Sequence, residues 1–255
     1  MSLDIFRFAI LQDVPGLEHG IFGRRGGVSP APYDTLNVGA DVADDPANVR
    51  RNVEIACEAL GVAPAELVTV RQVHSNRVMR VGRAHRGQKV GELDGLITDE
   101  PGVPLILRFA DCVPILAYDA RRGVLGAAHA GWRGTVAGMA RALVLAMMRE
   151  FGSRPEDIRA GIGPSIGPCC YAVGEDVVRA AHQAWGEGEA NQLFRQVNGR
   201  FHLDLWQANY RQLAGLGVGQ IEVAGICTAC HSHRFFSHRA SGGLTGRFPM
   251  VAVLK

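Results

Sequence analysis

The chain has 255 residues, 47 % of them hydrophobic, with 27 basic against 25 acidic side chains and a net charge of +2. That size and apolar content allow a substantial core in one large domain or two small ones, and the balanced charge leaves no footprint of nucleic-acid or membrane-surface binding. No apolar run approaches the ~20 residues of a membrane span; the acid near the N-terminus is at odds with a secretory signal, so the six cysteines are expected as reduced thiols of the cytosol.

In chain order, residues 6–12 and 20–23 predict short strands around a turn at Pro15-Gly16. Residues 24–43 form a long Gly- and Pro-containing stretch whose polar candidates are Asn37 and Asp41; local turn bonding is the competing reading. Asp45 followed by Pro46 is a capped helix start, and Gly61 ends the helix. Strands are expected over 67–73 and 76–81, with His74 between them. Residues 83–93, including His85, read as an exposed excursion, and Asp94-Gly95 as a turn.

Two apolar runs follow, LILRFADCVPILAYD (105–119) and VLGAAHA (124–130). Each is long enough for a buried strand. Cys112 sits in the first, and His129 ends the second. Residues 134–151 carry apolar side chains at helical spacing and predict one buried helix. Its N-terminus, with Arg133 beside it, is a candidate anion site; an arginine tied to a carbonyl or surface carboxylate is the alternative. Further elements are a strand at 158–162, helices at 175–185 and 204–216, and strands at 221–225 and 247–254, the last expected to pair inside a sheet. The adjacent Cys169 and Cys170 read as packing thiols, because neighbouring cysteines rarely bridge. The intermixed elements, without repeat or linker, predict a single α+β domain over 1–255, with mixed β-sheets packed together and flanked by helices.

Cys227-Thr-Ala-Cys230-His231 spells both a haem-attachment motif and the C-x-x-C of redox and zinc sites. Without an export signal the haem reading falls away. A zinc would need His231 and His233 as further ligands, which leaves too little chain to wrap the ion. His74, Cys112 and His129 make the better set. All lie in or beside predicted strands that can meet at one sheet edge. One thiolate and two imidazoles suit zinc, and three protein ligands leave a fourth position where water becomes available as a nucleophile near neutral pH. Asp111, next to Cys112, points to the other face of a regular strand and serves elsewhere unless the chain bends there.

RQVHSNRV, DGLITDEPGVPLILRFADCVPILAYD, GAAHAGWRGTVAG, GIGPSIGPCCYAVGEDV and TGRFP closely resemble the YfiH/laccase-domain family over about residues 20–254. Members of that family have been called multicopper polyphenol oxidases and, more recently, purine nucleoside enzymes. The resemblance implies a catalytic zinc held by the histidine of QVH, the cysteine of ADCVP and the histidine of HAGWRG, here His74, Cys112 and His129. It also implies phosphorolysis of adenosine, inosine, guanosine or methylthioadenosine to base and sugar 1-phosphate, and hydrolytic deamination of adenosine to inosine. Purine nucleosides and phosphate are then the expected partners, with Arg133 near the phosphate and Asn37, Arg239 and Arg247 as further contacts. The proton donor to the base and the oligomeric state are not legible. Copper fits less well: a multicopper centre needs many histidines in H-x-H pairs, and this chain has nine histidines and one such pair, His231 and His233. Two other readings stand beside the zinc enzyme. One is a metal-free cysteine hydrolase with Cys112 as nucleophile and His129 as base. The other is an editing role in cell-wall precursor synthesis.

Overall fold

In the computed structural model, which describes residues 2–12 and 14–255, the apolar runs become strands covered on both faces. Val113–Asp119, Val124–Ala130 and Phe248–Leu254 are buried at every position. Strands of that kind need a packed layer on each side. The layers are supplied by two sheets and two sets of helices.

A six-stranded mixed sheet has the order Gln220–Val223, Ile158–Ile162, Val113–Asp119, Val124–Ala130, Gly95–Thr98, Val78–Arg80. Its outermost pairs are parallel and its centre is antiparallel. A four-stranded antiparallel sheet has the order Ile5–Phe6, Leu17–Phe22, Phe248–Leu254, Leu105–Phe109. Alternation along each strand sends side chains to two cores. Leu107, Phe109, Phe248 and Met250 of the smaller sheet meet Leu96, Leu116, Leu125 and Ala127 of the larger. The other face of the larger sheet, with Ile97, Ile115 and Val124, packs on Leu143, Val144 and Met147 of helix Met139–Phe151. The outer face of the smaller sheet, with Phe22, Ile106 and Val251, packs on Ala56 and Cys57 of helix Pro46–Glu58. The result is a helix–sheet–sheet–helix sandwich, the α+β arrangement expected.

The cap at Asp45 is present, its side chain accepting the Ala47 N–H at 2.7 Å. Three expectations need correction, and one element went unread. Residues 105–119 are not one strand: they split into Leu105–Phe109 and Val113–Asp119, which belong to different sheets. The chain turns between them at Asp111, whose φ is 86°. Residues 134–151 are not one helix either. Trp132–Val136 and Met139–Phe151 are separated by Gly138 at φ 85°, a left-handed conformation that ends a helix. Residues 6–12 give only the two-residue strand Ile5–Phe6 and then helix Ala9–Gln12, which sets Phe8 and Leu11 into the core. A hairpin of Phe194–Val197 and Arg200–Leu203, joined at Asn198-Gly199, was not anticipated. Asn-Gly is a strong hairpin signal, because both turn residues take positive φ, here 50° and 73°.

Candidate metal centre

Each of the three converging side chains is placed by a different local device. His129 is the penultimate residue of the inner strand Val124–Ala130. Cys112 stands where the chain crosses from one sheet to the other, directly after the turn at Asp111. His74 lies in the loop before strand Val78–Arg80, in the left-handed region at φ 60°. That loop is held by the buried Asp94. Its carboxylate accepts the N–H groups of Val73, His74 and Ser75 at 3.3, 3.0 and 2.6 Å, and the Ser75 hydroxyl at 2.8 Å. Asp94 Oδ1 also lies 2.9 Å from His129 Nδ1. One carboxylate therefore fixes the loop bearing one imidazole and the ring orientation of the other, leaving His129 Nε2 as the free ligand atom.

The Cys112 sulfur lies 3.8 Å from His74 Nε2, and the ligand atoms of His74, Cys112 and His129 are all within 4.8 Å of one another. Zinc bonds of about 2.3 Å to sulfur and about 2.0 Å to nitrogen fit inside such a triangle. Gly131 makes room for it. A Cβ there would stand 2.6 Å from His74 Cδ2 and 3.0 Å from the Cys112 sulfur. Electrostatics favour the ligating form of the thiol: burial alone would raise it, but His129 and then His74 outweigh burial and bring Cys112 down to about 6. Burial likewise opposes charge on His129, yet Cys112 and Asp94 raise it to about 9. Asp94, despite burial, is held down at about 2, chiefly by His129 and Ser75. The donor set and its geometry suit a borderline-soft divalent ion such as zinc, whose binding displaces the proton that Cys112 and Asp94 otherwise hold on His129.

The three side chains line a cavity of about 560 Å³. Its other walls include Asp41, Gln72, Arg108, Asp111, Tyr171, His238, Arg239 and Arg247. Of the other residues singled out from sequence, Asp41, Asp111, Arg239 and Arg247 reach this cavity. Arg239 donates from Nη1 to the carbonyls of Cys170 and Ala172 and lies over the Tyr171 ring at 5.1 Å. Arg247 donates to the carbonyls of Thr245 and Gly246. Asn37 is fully buried and off the wall, its oxygen accepting the N–H groups of Arg247 and Gly39 and its amide donating to Asp44 at 2.8 Å. It positions Arg247. Arg133 is exposed, folded over Trp132 at 4.3 Å, and is not among the cavity-lining residues.

Asp94 and Arg108, like Tyr171 and His238, escaped the sequence reading. Asp94 hid inside an Asp-Gly pair that reads as a turn. Arg108 sat within an apolar run, where a lone arginine was the available signal. Arg108 donates to the Val38 carbonyl at 2.9 Å and the Thr69 hydroxyl at 2.8 Å. Arg108, Arg239 and Arg247 bond through their guanidiniums to carbonyls and a hydroxyl, so each brings positive charge to the hollow. Asp111 uses the bend: its carboxylate accepts the Thr228 hydroxyl at 2.6 Å and the Arg239 N–H at 2.7 Å.

The model of the multi-copper polyphenol oxidoreductase laccase family matches residues 18–255. The chain belongs to this YfiH/laccase-domain family. A family relative from Bacteroides thetaiotaomicron, named purine nucleoside phosphorylase, is 38 % identical over 93 % of this chain and 91 % of its own. One of the same name from Deinococcus radiodurans is 42 % identical over 92 % of this chain and 88 % of its own. The crystal structure of YlmD from Geobacillus stearothermophilus is similar with a TM-score of 0.90 and 38 % identity, covering 95 % of this chain and 93 % of that one. In this member of the YfiH/laccase-domain family, His231 and His233 stand apart from the ligand triangle: His231 Nδ1 lies 2.9 Å from the Cys227 carbonyl oxygen. No helix among the described residues is long and apolar enough to cross a membrane.

Proposed function

We propose that the chain is a zinc-dependent purine nucleoside phosphorylase that also deaminates adenosine. Adenosine, inosine, guanosine and methylthioadenosine are the nucleosides proposed for phosphorolysis. The observation that carries this reading is the convergence of His74, Cys112 and His129 on one wall of a cavity whose other walls bring in the guanidiniums of Arg108, Arg239 and Arg247. The volume suits a nucleoside. A zinc ion held by the three side chains would supply Lewis acidity, polarising a purine ring position or a water near neutral pH.

The chain's own groups divide the remaining work. Arg239 and Arg247, with Arg108 behind them, are assigned to phosphate, whose charge they neutralise as it approaches the ribose carbon. Tyr171 and His238 offer ring surfaces to the nucleoside. Asp94 keeps His129 in one tautomer and the His74 loop in one conformation. Asp111 ties the Arg239 backbone to the turn that presents Cys112. The test is product analysis of zinc-loaded protein with each nucleoside, with and without phosphate. Free base that depends on phosphate, and inosine from adenosine without it, are expected. If neither forms, the assignment is wrong.

A second reading has one specific observation behind it. With Asp94 on His129 Nδ1 and Cys112 within 4.8 Å of His129, the same atoms form a cysteine–histidine–aspartate arrangement that would make Cys112 a nucleophile. Activity that survives zinc removal and disappears on thiol alkylation would select this reading over the first.

A further inference from the structure

Four of the six cysteines are gathered at a second place, away from the ligand triangle. Strands Ile158–Ile162 and Gln220–Val223 run parallel, so the chain leaves both at the same end. The parallel pairing is prolonged by a bridge between Ser165 and Cys227, with the Ser165 N–H donated to Ile226 and the Thr228 N–H to Ser165. The loop after the first strand carries Cys169 and Cys170, and the loop after the second carries Cys227 and Cys230. Their four sulfurs all lie within 4.8 Å of one another.

From this geometry we infer a second metal site, in which Cys169, Cys170, Cys227 and Cys230 bind one zinc ion as four thiolates. It supplies what the sequence alone lacked, two ligands beyond the C-x-x-C, and it takes them from the adjacent pair read as packing thiols. His231 is not needed. This inference does not rest on the purine nucleoside reading.

Three features separate an ion site from an accidental cluster. First, Cys230 Sγ is 3.6 Å from Cys169 Sγ and 3.4 Å from Cys170 Sγ. A near-equal approach to two partners suits a shared ion, whereas a disulfide selects one at about 2.05 Å. Zinc–sulfur bonds of about 2.3 Å put tetrahedral sulfurs about 3.8 Å apart. Second, the deepest sulfur is prepared for negative charge. Cys227 Sγ accepts the Gly167 N–H at 3.3 Å. Amide donors of this kind stabilise a thiolate. Third, Arg200 and Arg239 border the hollow beside the cluster and offset the excess charge of four thiolates on a divalent ion. Cys169 and Cys230 are exposed, so an ion has a way in. Binding is not a redox step: each thiol gives its proton to solvent and its sulfur electron pair to zinc.

The ion would be structural. It joins the loop that continues into Tyr171 to the loop that carries Thr228, the partner of Asp111. Both Tyr171 and Asp111 line the main cavity.

The test starts from the double variant His74→Ala/Cys112→Ala, which leaves only the second site. Wild-type protein produced with zinc is expected to hold two zinc ions per chain, the double variant one, and its further Cys227→Ser/Cys230→Ser derivative none. X-ray absorption of the double variant should give four sulfur neighbours at about 2.3 Å and no nitrogen. In wild-type protein, peptide mass spectrometry after alkylation should find these four cysteines protected with zinc and modified after chelation, which keeps the test open if a variant does not fold. The inference is overturned if the folded double variant holds no zinc, if nitrogen or fewer sulfurs surround the ion, if zinc gives the four thiols no protection, or if anaerobically purified protein carries a disulfide among them.

Discussion

Asp94 carries more of the site than any ligand does, because it is bonded at once to the His74 loop and to His129. Asp94→Asn keeps the size of the side chain but removes its charge and half its acceptor capacity. Zinc affinity, measured by competition with a chelator, is expected to fall about 10- to 100-fold. Arg247 is a different kind of contributor, a cation on the cavity wall that is not itself a ligand. Arg247→Ala should raise the KM for phosphate about 10- to 100-fold, the size of a lost charge-assisted hydrogen bond, while phosphate-independent deamination of adenosine holds; initial rates at varied phosphate check this. Side-chain chemistry was the most legible layer in the sequence. His74, Cys112 and His129 stood out because polar ligating atoms were set in or beside apolar runs. Gly131, locally, is the N-cap of helix Trp132–Val136. Its second role, leaving space beside His74 and Cys112, depends on a contact between segments 57 residues apart in the chain, which no local pattern encodes.

Elements were legible where their pattern was periodic and their ends were marked. The helix after Asp45 and the strand at Ile158–Ile162 stand where expected. One misreading has a plain physical cause: a run buried on both faces has no alternation to show where it stops. Thus 105–119 read as a single strand, and the crossing between sheets at Asp111 was hidden. Another such packing detail is Gly161, in the middle of an inner strand. A Cβ there would meet the Phe8 ring at 2.5 Å. Gly161→Ala should therefore destabilise the fold by about 1–3 kcal/mol, the usual range for overpacking a core, read as a lower urea midpoint at unchanged slope. The hairpin at 194–203 was a different kind of miss. Its Asn-Gly signal was present, but only Phe194, Val197, Phe201 and Leu203 give it apolar character.

For the molecule as a whole, the order of layers follows from which runs are apolar on both faces, and the match to YfiH-family folds agrees with it. Stability of the whole should depend on pH through His19. Its Nε2 accepts the Phe8 N–H at 3.0 Å, and burial holds it down at about 4. In the unfolded chain the same group titrates near 6.5. Between these values the unfolded state binds the extra proton, so this contribution is complete above about 6.5 and is lost as pH falls toward about 4. The loss is on the order of 3 kcal/mol. Urea melts across that window should show it, and His19→Gln, which keeps an acceptor but does not titrate, should flatten the curve.

Cys112 belongs to neither sheet; it is the joint between them, while His129 is rooted in the larger one. An ion shared by these two side chains would act as a rivet through the sandwich. Its binding energy would then be spread as added resistance to opening in both sheets, in proportion to occupancy. Amide hydrogen exchange should slow on zinc loading not only around His129 but also along Leu105–Phe109 and its neighbour Phe248–Leu254, and protection confined to one sheet would mean that the rivet does not span the two.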